Sequence, residues 1–317
     1  MYFPISGIDI FPAIPLTVAF IISFFTSMGG LSGAFLLLPF QVSVLGFTSP
    51  SVSATNLVYN IFATPSGIYR YIREGRMAWP LAWVIICGTL PGVLIGVVVR
   101  IKYLPDPGNF KIFIGGVLLY VAIRLLYDLT PPADKDKLRV QAFEDRFKEI
   151  SLRSLKQDTA DLEAGGSIRT VAFSSNRYTY TFYGETFSLN IVALFSLTLA
   201  VGVIGGIYGI GGGAIIAPFL ITVFGLPVYT IAGAALFGTF LTSIVGVISY
   251  IFIAPIYEQT GLSIAPDWKL GALFGIGGFL GVYCGARLQK YFPAKVIKFL
   301  LGLLIMFLSI SYILNIF

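Results

Sequence analysis

Histidine is absent from the 317 residues, and charged residues make up only 11% of the chain. Without histidine there can be no histidine-based catalytic triad, histidine metal site or histidine proton relay. A water-soluble domain carries about 25% charged residues. The low charge content therefore excludes a soluble protein and predicts that lipid is the solvent for most of the chain.

Cysteine and intramembrane acids are also scarce. Cys87 and Cys284 both lie inside apolar runs, where we expect small buried side chains. No apolar run has an acidic residue near its centre, although such a residue is the usual mark of a proton or sodium relay. The sequence therefore predicts no enzyme, no metal and no cofactor, and it favours transport without a coupling carboxylate.

Long hydrophobic runs are what the chain has instead. A bilayer core about 30 Å thick needs about 20 apolar residues in a straight helix. We therefore predict an all-α polytopic membrane protein with about ten transmembrane segments. These comprise a first repeat (residues 1–130), a soluble cytoplasmic insertion (131–186) and a second repeat (187–317). The predicted segments are 11–28, 31–47, 50–72, 79–101, 109–129, 187–207, 210–225, 228–254, 267–289 and 294–316.

Glycine, proline and tryptophan recur in one register between the two halves. The pairs Gly33/Gly212, Pro39/Pro218 and Gly67/Gly246 are 179 residues apart, and Trp79/Trp268, Gly88/Gly277, Gly92/Gly281 and Gly96/Gly285 are 189 apart. Each of these residue types answers a specific backbone or interface requirement, so the register indicates a true internal repeat. The GxxxG spacing in the last three pairs predicts close helix packing.

An odd number of segments per repeat predicts that the second copy is inverted in the membrane, as in many secondary transporters. The net charge of +6 comes from Lys and Arg at the ends of apolar runs and in the insertion, which is typical of cytoplasmic loops rather than a nucleic-acid surface. The loop Arg70–Arg76 and the insertion are expected inside and both termini outside. Arg100, Lys102 and Lys111 flank a predicted outer loop and do not fit this orientation.

The insertion has two patterns of its own. Leu138, Phe143 and Phe147 recur at roughly helical spacing among charges and predict an amphipathic helix. Farther on, apolar residues alternate about a Ser-Ser-Asn turn, which predicts a β-hairpin ending near Phe182. Both a connector that lets the halves invert and a regulatory or partner-binding element fit these patterns.

The second and seventh segments are short and begin with glycines. They read Gly-Leu-Ser-Gly-Ala from Gly30 and Gly-Ile-Gly-Gly-Gly from Gly209, and each contains a proline. Such interrupted segments at matching places indicate a transporter's binding site, because backbone N–H groups at a half-helix N-terminus favour an anion. Close helix packing is the alternative explanation for the glycines.

Polar residues cluster on the third and eighth segments. Asn56 and Asn60 are four residues apart and share a helical face, and Thr239 stands 179 residues after Asn60. Their amides and hydroxyls could donate to an oxyanion, or hydrogen-bond helices together. The candidate binding residues are Gly30, Ser32, Gly33, Asn56, Tyr59, Asn60, Gly211, Gly212, Gly213, Thr239 and Ser243.

These motifs resemble the TauE/SafE family of sulfite exporters and organosulfonate or sulfur-anion permeases. The likeness lies in the Gly209–Pro218 cluster, the Ala54–Leu57 stretch, the basic loop before Trp79 and the glycine ridges, and it covers both halves but not the insertion. The resemblance implies transport of sulfite or a related small sulfur anion. The first half departs from the glycine-rich pattern at Ser32, a residue that could set substrate preference.

Together these features predict a secondary transporter, outward in direction, that moves a small sulfur-containing anion by alternating access. An anion channel and a proton-coupled importer of an organic anion are the alternatives. The expected partners are the anion and the lipid bilayer of the cell (inner) membrane, without nucleic acid, and a homodimer is left open.

Overall fold

The computed structural model describes residues 1–28, 32–127, 129, 168–174, 176–182, 184–288 and 294–314, and these are mostly α-helical. A π-helix at Phe40–Val44 continues the second helix, and a 3₁₀ helix at Ala254–Thr260 continues the ninth. The described helices are α1 (Ala13–Met28), α2 (Ala34–Pro39), α3 (Ser51–Ala63), α4 (Pro65–Arg73), α5 (Trp79–Lys102), α6 (Pro107–Tyr127), α7 (Ile191–Tyr208), α8 (Ile216–Phe224), α9 (Val228–Ile253), α10 (Trp268–Leu288) and α11 (Ala294–Ile313).

Four of the described helical stretches are long and apolar enough to cross a bilayer. They are α5, α6, α7 and the continuous run Thr230–Thr260, while Ala13–Met28, Ala34–Val44 and Phe299–Ile313 are apolar but shorter. This composition is that of a polytopic membrane protein, as predicted, but the fold is mostly helical rather than all-α, because the described residues also form β-strands. The count of ten spans stays a prediction.

The main helix contacts join the two halves of the chain. Helix α5 packs along α7, and α1 packs along α10. In the predicted repeat, α1 corresponds to α7 and α5 corresponds to α10. The α1–α10 contact is therefore the repeat equivalent of the α5–α7 contact. The glycine ridges lie at these crossings. A Cβ at Gly92 would stand 2.8 Å from the Cα of Gly202, and one at Gly281 would stand 2.4 Å from the carbonyl oxygen of Phe20. The packing role predicted for the ridges is confirmed.

One predicted segment boundary was wrong, and one segment is interrupted. The third segment, predicted over 50–72, keeps about these bounds but is divided into α3 and α4 because Pro65 has no N–H to continue the helical hydrogen bonds. The sixth was predicted to begin at residue 187, but Glu185–Asn190 is a strand. Helix α7 begins only after Asn190, whose side chain accepts a hydrogen bond from the Ala193 N–H at 3.0 Å.

The predicted hairpin is part of a three-stranded antiparallel sheet. Its strands are β3 (Arg169–Phe173), β4 (Arg177–Phe182) and β5 (Glu185–Asn190), in that order; β1 (Tyr2–Phe3) and β2 (Ile8–Asp9) form a separate short hairpin. The sheet rests on the helical body through Tyr180, whose hydroxyl lies 2.8 Å from Thr230 Oγ1. The predicted amphipathic helix lies outside the described residues.

Candidate functional site

The break in the second half separates α7 from α8 and is built by glycine. Gly209 ends α7 with φ +82° and Gly211 follows with φ +75°, both in the left-handed region. A Cβ on Gly209 would lie 2.4 Å from the carbonyl oxygen of Ser53 on α3, so a larger residue is excluded by contact as well as by conformation. The chain therefore leaves the helix here and re-enters it only at Ile216.

The break in the first half precedes α2, and Ser32 accepts hydrogen bonds from the first N–H groups of that helix. Ser32 Oγ accepts a hydrogen bond from the Ala34 N–H at 3.3 Å, and the Ser32 carbonyl accepts one from the Phe35 N–H at 3.3 Å. Gly33 is covered by Tyr59, whose hydroxyl lies 2.7 Å from Ser23 Oγ. The predicted site residue Gly30 lies outside the described residues.

Helix α3 lies between the two breaks, and the amide of Asn56 joins them. Its Nδ2 donates to the carbonyl oxygens of Ala34 at 3.1 Å and Gly209 at 3.0 Å. Its Oδ1 accepts from Gln41 Nε2, on the π-helix, at 3.3 Å. The amide therefore satisfies backbone carbonyls on both sides.

Asn60 repeats this arrangement one turn farther along α3. Its Nδ2 donates to the Ile210 carbonyl at 2.8 Å, and its Oδ1 accepts from Ser32 Oγ at 3.4 Å. The breaks stand at matching places in the two halves, and both asparagines contact both of them. Direct contact of either asparagine with an anion stays a prediction, because here their amides bond to the protein.

Helix α9 presents hydroxyl groups to the glycine-rich break. Thr242 Oγ1 accepts from the Gly212 N–H at 3.0 Å, and Thr239 Oγ1 donates to the Ala235 carbonyl within its own helix at 2.9 Å. Ser243 is fully buried, and its hydroxyl has no hydrogen-bond partner among the described residues. It points at the break, since a Cβ on Gly211 would lie 2.8 Å from its Oγ.

The two breaks differ in the hydrogen bonding of the backbone N–H groups at the start of each short helix. Neither α2 nor α8 has a side-chain cap at its N-cap residue, but Ser32 Oγ accepts from the Ala34 N–H at the start of α2. Within the described residues, the N–H groups of Gly213, Ala214 and Ile215 have no acceptor, and all three residues are buried. The first turn of α8 therefore offers unused donors at the positive end of a helix dipole.

Comparison with known proteins agrees with this architecture. The family model described as "Sulfite exporter TauE/SafE" matches residues 16–312. The chain belongs to this family. The TauE/SafE chain is also similar to a probable membrane transporter protein of Bacillus subtilis (strain 168), YunE, with 21% identity over 299 residues that cover 90% of this chain and 92% of the relative. No solved structure matches it. The protein is thus a membrane-embedded transporter and not an enzyme, as the sequence predicted.

Sequence reasoning missed three buried polar residues of this TauE/SafE protein. Gln41 contacts Asn56, and its Oε1 has no partner in the described ranges; a lone amide in a short apolar segment was the available signal. Asp267 is 2% exposed and caps α10 through the Leu270 N–H. Arg100 flanks a loop, in the last turn of α5, but is fully buried there. Burial of the last two depends on tertiary contacts that no local pattern reveals.

Proposed function

We propose that this TauE/SafE protein exports a small sulfur-containing anion, such as sulfite or a short organosulfonate, by alternating access about the α7–α8 break. Its ten segments form two inverted repeats in the cell (inner) membrane, with the insertion in the cytoplasm and both termini outside. The carrying observation is that the N–H groups of Gly213, Ala214 and Ile215 and the buried hydroxyl of Ser243 have no hydrogen-bond partner within the described residues. An oxyanion there would satisfy all of them at once.

The asparagines of α3 support an anion at this place for an electrostatic reason. The carbonyl oxygens of Gly209 and Ile210 lie at the same break and would repel an anion. Asn56 and Asn60 donate to these two oxygens and reduce their acceptor strength. In this arrangement the asparagines shape the site and the backbone N–H groups of α8 bind the ligand.

A site with neutral donors also fits outward transport. An anion leaving a cell that is negative inside gains about 2.3 kcal/mol per charge per 100 mV. The described membrane helices have no acidic side chain beside the break, and Asp267 is bonded to Ser6 and to the N-terminus of α10. Export therefore needs no proton-carrying carboxylate at the site.

The test is sulfite efflux from proteoliposomes with the variant Ser243→Ala. Loss of one hydrogen bond to an ion, about 1.5–3 kcal/mol, raises the KM for sulfite by roughly 10- to 100-fold. Ser249→Ala is the matched control, because Ser249 lies on the same helix and its hydroxyl is satisfied by the Val245 carbonyl at 2.7 Å. Its KM should equal that of wild type.

Three results would contradict the proposal. An unchanged KM for Ser243→Ala places the anion elsewhere. Efflux that follows an imposed proton gradient and ignores membrane potential favours the proton-coupled importer. Flux that neither saturates nor shows counterflow exchange favours the anion channel.

A further inference from the structure

Arg100 lies in the last turn of α5, at the end of the helix opposite to the Arg70–Arg76 loop, and is fully buried. Three of its N–H groups have acceptors, all neutral: Ser53 Oγ at 3.3 Å from Nε, the Thr48 carbonyl at 3.3 Å from Nη2, and the Leu104 carbonyl bonded to Nη1. Its guanidinium carbon lies 3.6 Å from the centre of the Phe110 ring.

No acidic side chain in the described ranges forms an ion pair with this guanidinium. A buried charge without a counter-charge is strongly unfavourable, so such groups are normally paired. A guanidinium has five N–H donors, and two of those on Arg100 have no described acceptor. The site therefore has both net positive charge and unused donors.

A second polar group beside Arg100 also lacks a partner. Tyr250 on α9 is fully buried and packs with Val97 and Ile101, which flank Arg100 on α5. Its hydroxyl neighbours Ser53 but completes no hydrogen bond among the described residues. A buried phenol normally has a partner. Two incomplete polar groups at one place fit a ligand that accepts hydrogen bonds and carries negative charge.

Ser53 connects this cluster to the break. While it accepts from Arg100, its hydroxyl donates to the Ile207 carbonyl at 3.2 Å, two residues before Gly209. The Ser53 carbonyl is the group that Gly209 approaches. The cluster thus lies beside the α7–α8 break, on the side of the bundle away from the Arg70–Arg76 loop.

We infer that Arg100 and Tyr250 form a second binding site for a small oxyanion, distinct from the α8 N-terminus and placed between it and the bundle end opposite to the Arg70–Arg76 loop. The guanidinium supplies two N–H donors and the charge, the phenol supplies an O–H donor, and Phe110 closes one face. The choice of sulfite as ligand rests on the proposed function, but the site itself needs only an oxyanion. In an exporter, such a site would receive the anion after it leaves the break.

The experiment is calorimetric titration of the purified full-length protein with sodium sulfite in a gluconate buffer of constant ionic strength. Tyr250→Phe removes only a hydroxyl that neighbours Ser53 and completes no hydrogen bond within the described residues, so the variant should fold as wild type does. Arg100→Lys keeps the charge but loses the planar pair of donors. Each should weaken sulfite binding at one site about tenfold or more.

Lys102→Gln is the matched control: it removes a cation two residues away whose side chain is exposed, and affinity should be unchanged. Wild-type affinity in both Tyr250→Phe and Arg100→Lys overturns the inference, and so does an equal loss in Lys102→Gln. Titration of Ser243→Ala distinguishes the two proposals. If Tyr250→Phe weakens sulfite binding but the wild-type protein shows no sulfite efflux, the export proposal is refuted and this site is kept. If sulfite efflux is impaired by Ser243→Ala but not by Tyr250→Phe or Arg100→Lys, the export proposal is kept and this site is refuted.

Discussion

Replacing Asn56 with alanine should destabilise the protein more than alanine at either Asn60 or Ser243, the other polar residues tested at the breaks. The side chain makes three buried hydrogen bonds, donating to Ala34 and Gly209 and accepting from Gln41. Each neutral hydrogen bond contributes about 1 kcal/mol net, so their loss lowers the free energy of unfolding by about 3 kcal/mol. Because the freed carbonyls stay buried, compensation by water is small.

Two further alanine variants allow the loss of unfolding free energy in Asn56→Ala to be compared with smaller expected losses. Asn60 makes one short bond to Ile210 at 2.8 Å and one long bond to Ser32 at 3.4 Å, so Asn60→Ala should lower the free energy of unfolding by about 1–2 kcal/mol. Ser243→Ala removes a buried hydroxyl that has no partner in the part of the chain that the structure describes, and it should leave stability unchanged or slightly higher. The expected order of destabilisation is therefore Asn56→Ala, Asn60→Ala, Ser243→Ala.

The assay is reversible unfolding in mixed micelles with increasing sodium dodecyl sulfate, followed by tryptophan fluorescence. Asn109→Ala is the control, because Asn109 is exposed and the substitution removes the same amide. The reasoning is refuted if Asn56→Ala lies within about 0.5 kcal/mol of Asn109→Ala, the range typical of surface substitutions. It is also refuted if Ser243→Ala proves the least stable of the three.

Two further changes test the helix crossing and the basic loop. Gly92→Ala should lower the thermal unfolding midpoint and cost about 1–3 kcal/mol of stability, because the new Cβ would lie 2.4 Å from the Leu199 carbonyl oxygen. Gly116→Ala is the control: a Cβ there has no neighbouring atom within 4 Å, so the midpoint should not fall. Burial opposes ionisation of Glu74, but ion pairs with Arg76 and Arg70 at 2.7 Å outweigh it and hold its pKa below the usual 4.5. The stabilisation by these ion pairs is therefore complete above pH 4.5 and is lost as the pH falls through the lowered pKa of Glu74. Glu74→Gln should remove this acid-dependent change in the thermal unfolding midpoint. If the midpoint of Glu74→Gln depends on pH as that of wild type does, the pairing is contradicted.

Much of this protein followed from its sequence alone. The low charge content required a lipid environment, and the repeated glycines located both breaks and the helix crossings. These features are local or compositional: a glycine is needed wherever the backbone turns left-handed or another helix approaches closely, whatever the rest of the fold does. The family could be recognised for the same reason.

The partners of the polar side chains were decided only by tertiary structure. Asn56 bonds to the carbonyl of Gly209, 153 residues away in the chain, and Asn60 to that of Ile210, so neither acceptor can be read from local spacing. Arg100 looked like a loop charge because it lies within one turn of a predicted loop, yet Ser53, Thr48 and Phe110 enclose it. A side chain's hydrogen bonds and its access to solvent depend on which distant segments pack against it, and this is fixed only when the helices assemble.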